Sequence, residues 1–552
     1  MPDPASRAES SGQAVLVDVN LPIGAGFNAD ELRSAAARRL EVAARGIVSC
    51  ALLTRALDAR RKNAIHWQCR LHVRLEEERD VRRVLASRLA LPVTLREGDL
   101  ADREILEGTL RVMRESAAPR VVVVGCGPAG LFAAHLLARH GFPPLVLERG
   151  RRVEERVRDV RAFERGGALD PESNILFGEG GAGTFSDGKL TSRSKSPLVR
   201  FVYEEVVACS GPEEVLVDAK PHVGTDRLRA VLVHLRRRLE RDGVTFRFEA
   251  RVEDLRISPE GVSGVVLADG EEIATDTVIL AIGHSARDTY EMLERRGVAM
   301  AFKPFQAGLR MEHPQDMIGR AQYGDRWREL PAADYVLTGP GPRRTFSFCM
   351  CPGGTIVASV SEPGHLCTNG MSRHRRDSRW ATSGLVFTVE PGDLGSDSPH
   401  PLAGVALQRS LESRAFELAR GTYRLPAQRA DHFLEGRLSE TAQLETSYAL
   451  GVVPADLREI MVAPAIESMQ AALRVFDGKI PGYAGPSGVL VGPEARGSSP
   501  VRLERDGESL QSVNVRGLYP AGEGAGYAGG IVSAAIDGLH VARAVLTTPC
   551  RR

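Results

Sequence analysis

Between Arg120 and Glu148 the chain spells out a unit with few alternative folds. Arg120–Val124 is a β-branched run, the pattern of a strand buried on both faces of a parallel sheet. It leads into Gly125-Cys126-Gly127-Pro128-Ala129-Gly130, an apolar helix over Leu131–Arg139, and a second strand at Leu145–Leu147 that ends in Glu148 and Arg149. Gly125 permits a tight turn, Gly127 lets backbone approach a pyrophosphate, and Gly130 lets the helix pack on the strand. The helix N-terminus then faces the diphosphate. Glu148 stands 18 residues after Gly130, where an acid accepts ribose hydroxyls and disfavours a 2′-phosphate. Glycine spacing alone is weak evidence. With a strand before it, a helix after it and an acid at this distance, it predicts a Rossmann-type dinucleotide site.

Two later segments repeat the theme. Thr277-Val-Ile-Leu-Ala-Ile-Gly283 is a buried strand ending in glycine; Gly517-Leu-Tyr-Pro-Ala-Gly522-Glu523 ends in an acid and passes through Gly529-Gly530 into a helix from Ile531. Both resemble motifs of the glutathione-reductase-type flavoproteins, and the resemblance implies FAD. It places Glu523 at the ribityl or diphosphate side and the Gly529-Gly530 amides at the flavin pyrimidine. A helix N-terminus suits that position, since the reduced flavin is an anion around N1 and C2=O. Between them lies Phe177-Gly-Glu-Gly180-Gly181-Ala-Gly183-Thr184-Phe-Ser186-Asp187-Gly188-Lys189. Its amides form an anion cradle and its small residues permit close approach to a ring; the alternative is a flexible surface loop. Gly181, Gly183, Thr184, Ser186, Lys189 and Val252 complete the expected cofactor set.

Further motifs are FGEGGAGTFSDGKL at 177–190, AIGHSARDTYEML at 281–293, KPFQAGLRMEHPQ at 303–315, SFCMCPGG at 347–354, TNGMS at 368–372 and GLYPAGEGAGYAGGIVSAAIDG at 517–538. With these the chain resembles a group of functionally uncharacterised bacterial FAD-dependent dehydrogenases. The resemblance implies an α/β architecture with a discontinuous FAD domain, 117–290 plus 511–552, and an inserted α+β substrate domain at 291–510. Relatives tend to carry threonines where this chain has Ala495 and Gly497, and an asparagine at Thr382. If the 494–500 loop lines the active site, two hydroxyls and some volume are lost, which points to a larger or different substrate.

Residues 1–116 read as a separate module. Ala14–Val19 is a strand, Asn28 an N-cap for a helix over Ala29–Leu40, and Ile65–Leu75 alternates with Trp67, Cys69, Leu71 and Val73 on one face. A one-sided apolar strand covered by helices such as Glu77–Leu89 suggests a ferredoxin-like α+β sandwich, followed by a linker at Ser116–Pro119. With 72 basic and 71 acidic residues in 552, no global field draws the chain to a polyanion, so neither nucleic acid nor membrane is expected as partner. The eight scattered cysteines suggest reduced thiols, and the polar Met1–Gln13 does not read as a signal peptide; a cytoplasmic location is expected. No metal is expected.

The leading expectation for chemistry is an FAD-dependent dehydrogenase acting on a C–N or C–C bond of a small molecule, such as a specialised metabolite, by hydride transfer at flavin N5. An NAD(P)H-dependent flavin monooxygenase is the alternative enzyme. An FAD-containing RNA- or protein-binding redox sensor, using Arg55, Arg60, Arg61, Lys62, Arg70 and Arg74, is the alternative of another class. No second dinucleotide fingerprint is present, so transient NAD(P)H, oxygen, quinone or a protein carrier all stay open as electron partner. His313, Glu312 and Arg496 are the catalytic candidates, with Arg310 nearby: a histidine for proton transfer, an arginine to clamp a carboxylate or flavin O2. A hydrogen-bonded core histidine and a salt-bridged arginine are the plain alternatives. Cys349-Met-Cys351 is either a relay to flavin or a pair of inert buried thiols. The basic run at Arg373, His374, Arg375, Arg376 and Arg379 either greets an anion or is a solvated loop.

Overall fold

A computed structural model describes residues 13–93, 100–114 and 119–548; the stretch Met1–Gln13, the linker at Ser116–Pro119 and Cys550 fall wholly or mostly outside them. The first six elements are β1 (Ala14–Leu21), α1 (Ala29–Leu40), β2 (Ile47–Asp58), β3 (His66–Leu75), α2 (Glu78–Ala86) and β4 (Leu91–Pro92). Their strands form an antiparallel sheet in the order β2-β3-β1-β4. Asn28 caps α1, its side-chain oxygen accepting from the Glu31 amide at 3.0 Å. On β3 the alternation buries Cys69, Leu71, Val73 and Leu75 against residues of α1 and α2, while Gln68 and Arg70 face out. Trp67 is only half-buried, with the Phe27 ring edge-on at 5.6 Å. The helix expected over Glu77–Leu89 stops at Ala86, and Arg88 enters the left-handed region at φ 55°.

The chain continues through α3 (Leu100–Glu107), β5 (Val122–Val124), α4 (Pro128–Arg139), β6 (Leu145–Leu147), α5 (Val153–Glu164), α6 (Leu198–Ala208), α7 (Thr225–Arg241) and β7 (Thr245–Arg247). An antiparallel trio follows, β8 (Val252–Ser258), β9 (Gly261–Leu267) and β10 (Glu272–Ala274), then β11 (Val278–Leu280) and α8 (Arg287–Arg295). The sheet β23-β11-β5-β6-β7 is wholly parallel, and β23 (Leu518–Pro520) comes from the far end of the chain, followed by α13 (Ile531–Thr547). Residues 122–124 are buried, as a two-sided strand requires. Helices α4 and α13 touch through backbone: a Cβ on Gly538 would sit 2.1 Å from the Ala129 carbonyl oxygen. Helix α3 docks on α13 through Asp102 to His540 at 2.9 Å, and Ile105 and Leu110 pack into the core around the parallel sheet. That core therefore takes in residues ahead of the boundary drawn at 116.

Between β11 and β23 the chain builds β12 (Met300–Phe302), β13 (Phe305–Pro314), α9 (Gln315–Tyr323), β14 (Thr338–Gly339), β15 (Thr345–Cys351), β16 (Gly354–Ala358), β17 (Thr368–Ser372) and β18 (Trp380–Val389). It closes with α10 (Ala403–Leu418), β19 (Leu425–Arg429), α11 (Ala430–Glu435), β20 (Val452–Pro454), α12 (Ala463–Lys479), β21 (Val489–Glu494) and β22 (Val501–Leu503). Seven of these strands form one mixed sheet, β14-β15-β18-β13-β21-β19-β20. Its central strands β13 and β18 are buried almost throughout.

Candidate active site

A cavity of about 760 Å³ lies where the C-terminal ends of β5, β6, β11 and β23 meet the mixed sheet. This is the position at which open parallel sheets bind ligands. Gly125 turns the chain at φ 105°, and a Cβ there would stand 2.2 Å from the Ala281 carbonyl oxygen. Gly130 is as tight, with the Gly125 oxygen 2.0 Å from an added Cβ, so it supports the turn from behind and does not line the cavity. The lining glycines Gly127, Gly283, Gly529 and Gly530 behave oppositely: a Cβ on any of them would meet nothing within 4 Å. Bare backbone thus faces the cavity at both helix N-termini, α4 after Gly127 and α13 after Gly530. A flat ring and a diphosphate fit such a cradle, with the helix dipoles favouring their negative charge.

Pro128, Ala129, Arg251 and Val252 also line the cavity. The Glu148 carboxylate accepts from the amides of Cys126, Gly150 and Gly178 at 2.9, 3.0 and 3.0 Å, tying two glycine turns together. A carboxylate offers about four acceptor sites, so capacity for a ribose hydroxyl is left. Arg149 lines the cavity while its guanidinium bridges Glu172 at 2.6 Å and Asp288 at 2.9 Å, 4.1 Å over the Phe177 ring. Gly181, Gly183, Ser186 and Lys189 line the middle section. Thr184 does not: its hydroxyl donates to the Glu179 carbonyl at 3.0 Å, so its expected cofactor contact is corrected to a loop-fixing bond. Gly522 also stands behind the wall, where a Cβ would press to 2.7 Å on Ala129, and its amide donates to Asp537 at 2.7 Å.

Glu523 and Ile531 are in the lining. Burial pushes the Glu523 carboxyl up to about 7, against the pull of Lys303 and the Gly530 amide toward the charged form. Beyond it the wall passes to the mixed sheet: Lys303, Gln306, Phe348, Cys349, Asn369, Arg496, Gly497 and Ser498. Arg496 reaches the cavity with its guanidinium already fixed, donating to Glu412 at 2.8 and 2.7 Å and to the Ser361 hydroxyl at 2.7 Å. Gly497 is needed by its neighbour, since a Cβ would come within 2.9 Å of Phe348. Ala495 is fully buried in the core of the mixed sheet and does not line the cavity, so its small side chain frees no substrate space.

His313 and Glu312, the other two catalytic candidates, are corrected: neither lines the cavity. His313 is fully buried, its Nε2 donating to the Tyr483 carbonyl at 2.8 Å, and burial holds it down at about 4. Glu312 accepts from the Ser447 amide at 2.7 Å and from the Ser447 hydroxyl; burial pushes it up to about 7. Arg310 is equally buried and pairs with Glu494 at 2.7 Å, and Thr382 accepts from its Nε at 2.9 Å. In the basic run Arg376 is held by Asp187 at 2.6 Å and Arg379 by Glu445. In the N-terminal module Arg55 pairs with Asp218 at 2.6 Å and Arg70 with Asp18 at 2.7 Å. These pairings compete with capture of a polyanion.

Several lining residues were not foreseen: Lys303, Gln306, Asn369 and His284. All stand inside the motifs at 303–315, 368–372 and 281–293, so the signal was present in the segment and absent for the individual side chain.

Residues 123–180 match the NAD(P)-binding Rossmann-like domain, 204–303 the pyridine nucleotide-disulphide oxidoreductase family, and 304–497 the family described as FAD-dependent protein, C-terminal domain-like. An uncharacterized protein of Clostridium beijerinckii is 41% identical over 536 residues, which is 96% of this chain and 98% of that one. Among solved structures, CtdE in complex with FAD is similar at 12% identity and a TM-score of 0.31, covering 78% of this chain and 84% of the other. The GidA-related protein from Thermus thermophilus is similar at 17% and 0.22, over 34% and 73%. Among the described residues no helix is long and apolar enough to cross a membrane. With 41% identity to the Clostridium protein along nearly the whole of both chains, and matches to FAD-dependent and Rossmann-like families, the chain belongs to a bacterial family of FAD-dependent oxidoreductases, and its cofactor is FAD.

Proposed function

We propose that the chain is a dehydrogenase that moves a hydride between a C–N or C–C bond of a small organic substrate and FAD. The observation that carries this reading is the continuity of the cavity. The bare-backbone cradle at Gly529-Gly530 opens directly onto a side-chain pocket of Gln306, Phe348, Asn369, Gly497 and Ser498. FAD supplies the two-electron chemistry; the chain supplies placement, charge and a dry wall. In this reading segments 117–290 and 511–552 hold the dinucleotide, and 291–510 shapes the substrate pocket.

Phe348 gives the pocket an apolar face, and the Ser498 hydroxyl, donating to Gln306 at 2.7 Å, gives it a polar edge. Lys303 and Arg496 place positive charge beside it, suiting a substrate with a carboxylate or another anionic group. Glu523, with a carboxyl near neutral, is the group best matched to holding and releasing a proton at the buried end. Arg496 acts with its direction set by Glu412.

The test is anaerobic. FAD-loaded protein is mixed separately with NADH, NADPH and a panel of small amines and saturated acids, and the flavin absorbance is followed. Bleaching by an amine or acid, and by neither nicotinamide, is expected. Fast bleaching by one nicotinamide alone would overturn the reading in favour of a reductase or monooxygenase cycle.

A further inference from the structure

We propose that Cys349 and Cys351 form a redox-active dithiol that exchanges two electrons with FAD through the cavity wall. The inference requires FAD in the cavity and is independent of the substrate and of the dehydrogenase reading.

Its first support is the backbone. In the pairing of β15 with β18, Phe348 faces Gly384 and Cys351 faces Thr382, so β15 carries one extra residue at this point. Cys349 takes up the irregularity at φ 44°, a left-handed conformation that is strained for a non-glycine residue. Bulges re-aim side chains beside active sites. Here Cys349 joins the cavity lining while Cys351 stays in the buried wall behind it.

The second support is the chemistry around the sulfurs. Both thiols are free, and the Cys351 thiol donates to the Cys349 carbonyl at 3.3 Å, which folds it back toward its neighbour. The Lys189 ammonium lies 3.9 Å from Cys351 Sγ and donates to the Met350 carbonyl at 2.5 Å. From the other side the Arg310 guanidinium is 3.9 Å from Cys351 Sγ and donates to the Cys349 carbonyl at 3.2 Å. The hydrogen bond from Cys351, then the charges of Lys189 and Arg310, hold the Cys349 thiol below its ordinary range, while its partner is raised. A sulfur facing the cavity, with a second thiol behind it and two cations beside the pair, is the arrangement in which one sulfur attacks and the other leaves its proton. An inert buried pair needs no strained turn that brings one of its sulfurs to a cavity.

The exchange balances. The Cys349 thiolate and the Cys351 thiol form an S–S bond, the Cys351 S–H bond breaks, and the pair is oxidised by two electrons. Oxidised FAD takes those electrons and the one proton, so the net charge is unchanged. Glu523, which lines the same cavity as Cys349, is placed to pass the proton. A disulfide between cysteines one residue apart departs from relaxed geometry and is readily reduced, so the exchange runs in both directions.

FAD-loaded protein, oxidised with a small disulfide and freed of it, is titrated anaerobically with dithionite. Wild type is expected to take up about four electron equivalents per FAD and the Cys349→Ser and Cys351→Ser variants about two, each redox couple accounting for two. Cys351→Ser, which keeps the cavity-facing thiolate, should also retain a long-wavelength thiolate-to-flavin absorbance that Cys349→Ser lacks. Uptake of about two equivalents by wild type would overturn the proposal. Should the variants lose FAD, mass spectrometry of wild type alkylated before and after dithionite decides it. Alkylation of the 349–351 peptide only after reduction supports the dithiol; equal alkylation in both samples overturns it.

Discussion

The two ends of the cavity are made of different material. At the dinucleotide end the wall is backbone, with Gly127, Gly529 and Gly530 open to the cavity and two helix N-termini behind them. At the substrate end it is side chains held by other side chains, as when Arg287 and Arg496 share Glu412. Backbone geometry leaves a record in glycine spacing, because no other residue fits Gly125 or Gly130. A side-chain wall leaves no spacing rule, since its members come from β13, β15, β17 and the turn after β21.

The contrast can be broken most severely at Glu412. It is fully buried between Arg287 and Arg496, and despite burial these two charges hold it down to about 2. Glu412→Gln should destabilise the protein by about 3–5 kcal/mol, read by denaturant unfolding, because it leaves buried cations undercompensated. The sign follows from the lowered value: this stabilisation is present above the ordinary 4.5 and fades as pH falls toward 2.

Next in size is the backbone end. Gly125→Ala forces a side chain against the Ala281 carbonyl at a positive φ, and overpacking of this kind costs about 1–3 kcal/mol. FAD binding is expected to weaken on the order of 10- to 100-fold by fluorescence titration, at about 1.4 kcal/mol per factor of ten. Gly529→Ala, whose Cβ projects into open space, should fold normally and lose FAD affinity alone.

A smaller effect separates two carboxylates with the same raised value of about 7, Glu523 in the cavity and Glu312 outside it. Between 4.5 and 7 the unfolded chain loses these protons before the folded one, so stability of the FAD-free protein should fall as pH rises through that window. Glu523→Gln and Glu312→Gln should each flatten the slope, but only the former should alter the pH dependence of FAD binding. Smallest is His313→Gln: a loss of about 1–3 kcal/mol for a broken buried hydrogen bond, with the pH profile of flavin reduction unchanged.

Much of the dinucleotide end was legible because each glycine there answers a steric demand that spacing records. Gln306 and His313 show why the other end was not. Both belong to the motif at 303–315 and both lie on β13, yet only Gln306 reaches the cavity. Seven residues at roughly 3.3 Å each put His313 about 23 Å further along the strand. The sequence marks the strand as important without saying which end faces the ligand, and titratable character drew attention to the wrong end. Thr184 failed for a related reason. Its loop does wrap the cavity, but the hydroxyl turns inward to satisfy the Glu179 carbonyl five residues back, a choice set by the loop's backbone path and not by residue type.

Arg287 stands at the start of α8, just after β11, while Glu412 is on α10 and Arg496 follows β21. Their shared ion cluster therefore rivets α8, α10 and the turn after β21 together in a buried place where water cannot loosen it. With that seam closed by charge, the cavity meets solvent elsewhere, at the exposed lining residues Thr191, Arg193, Gly529 and Gly530.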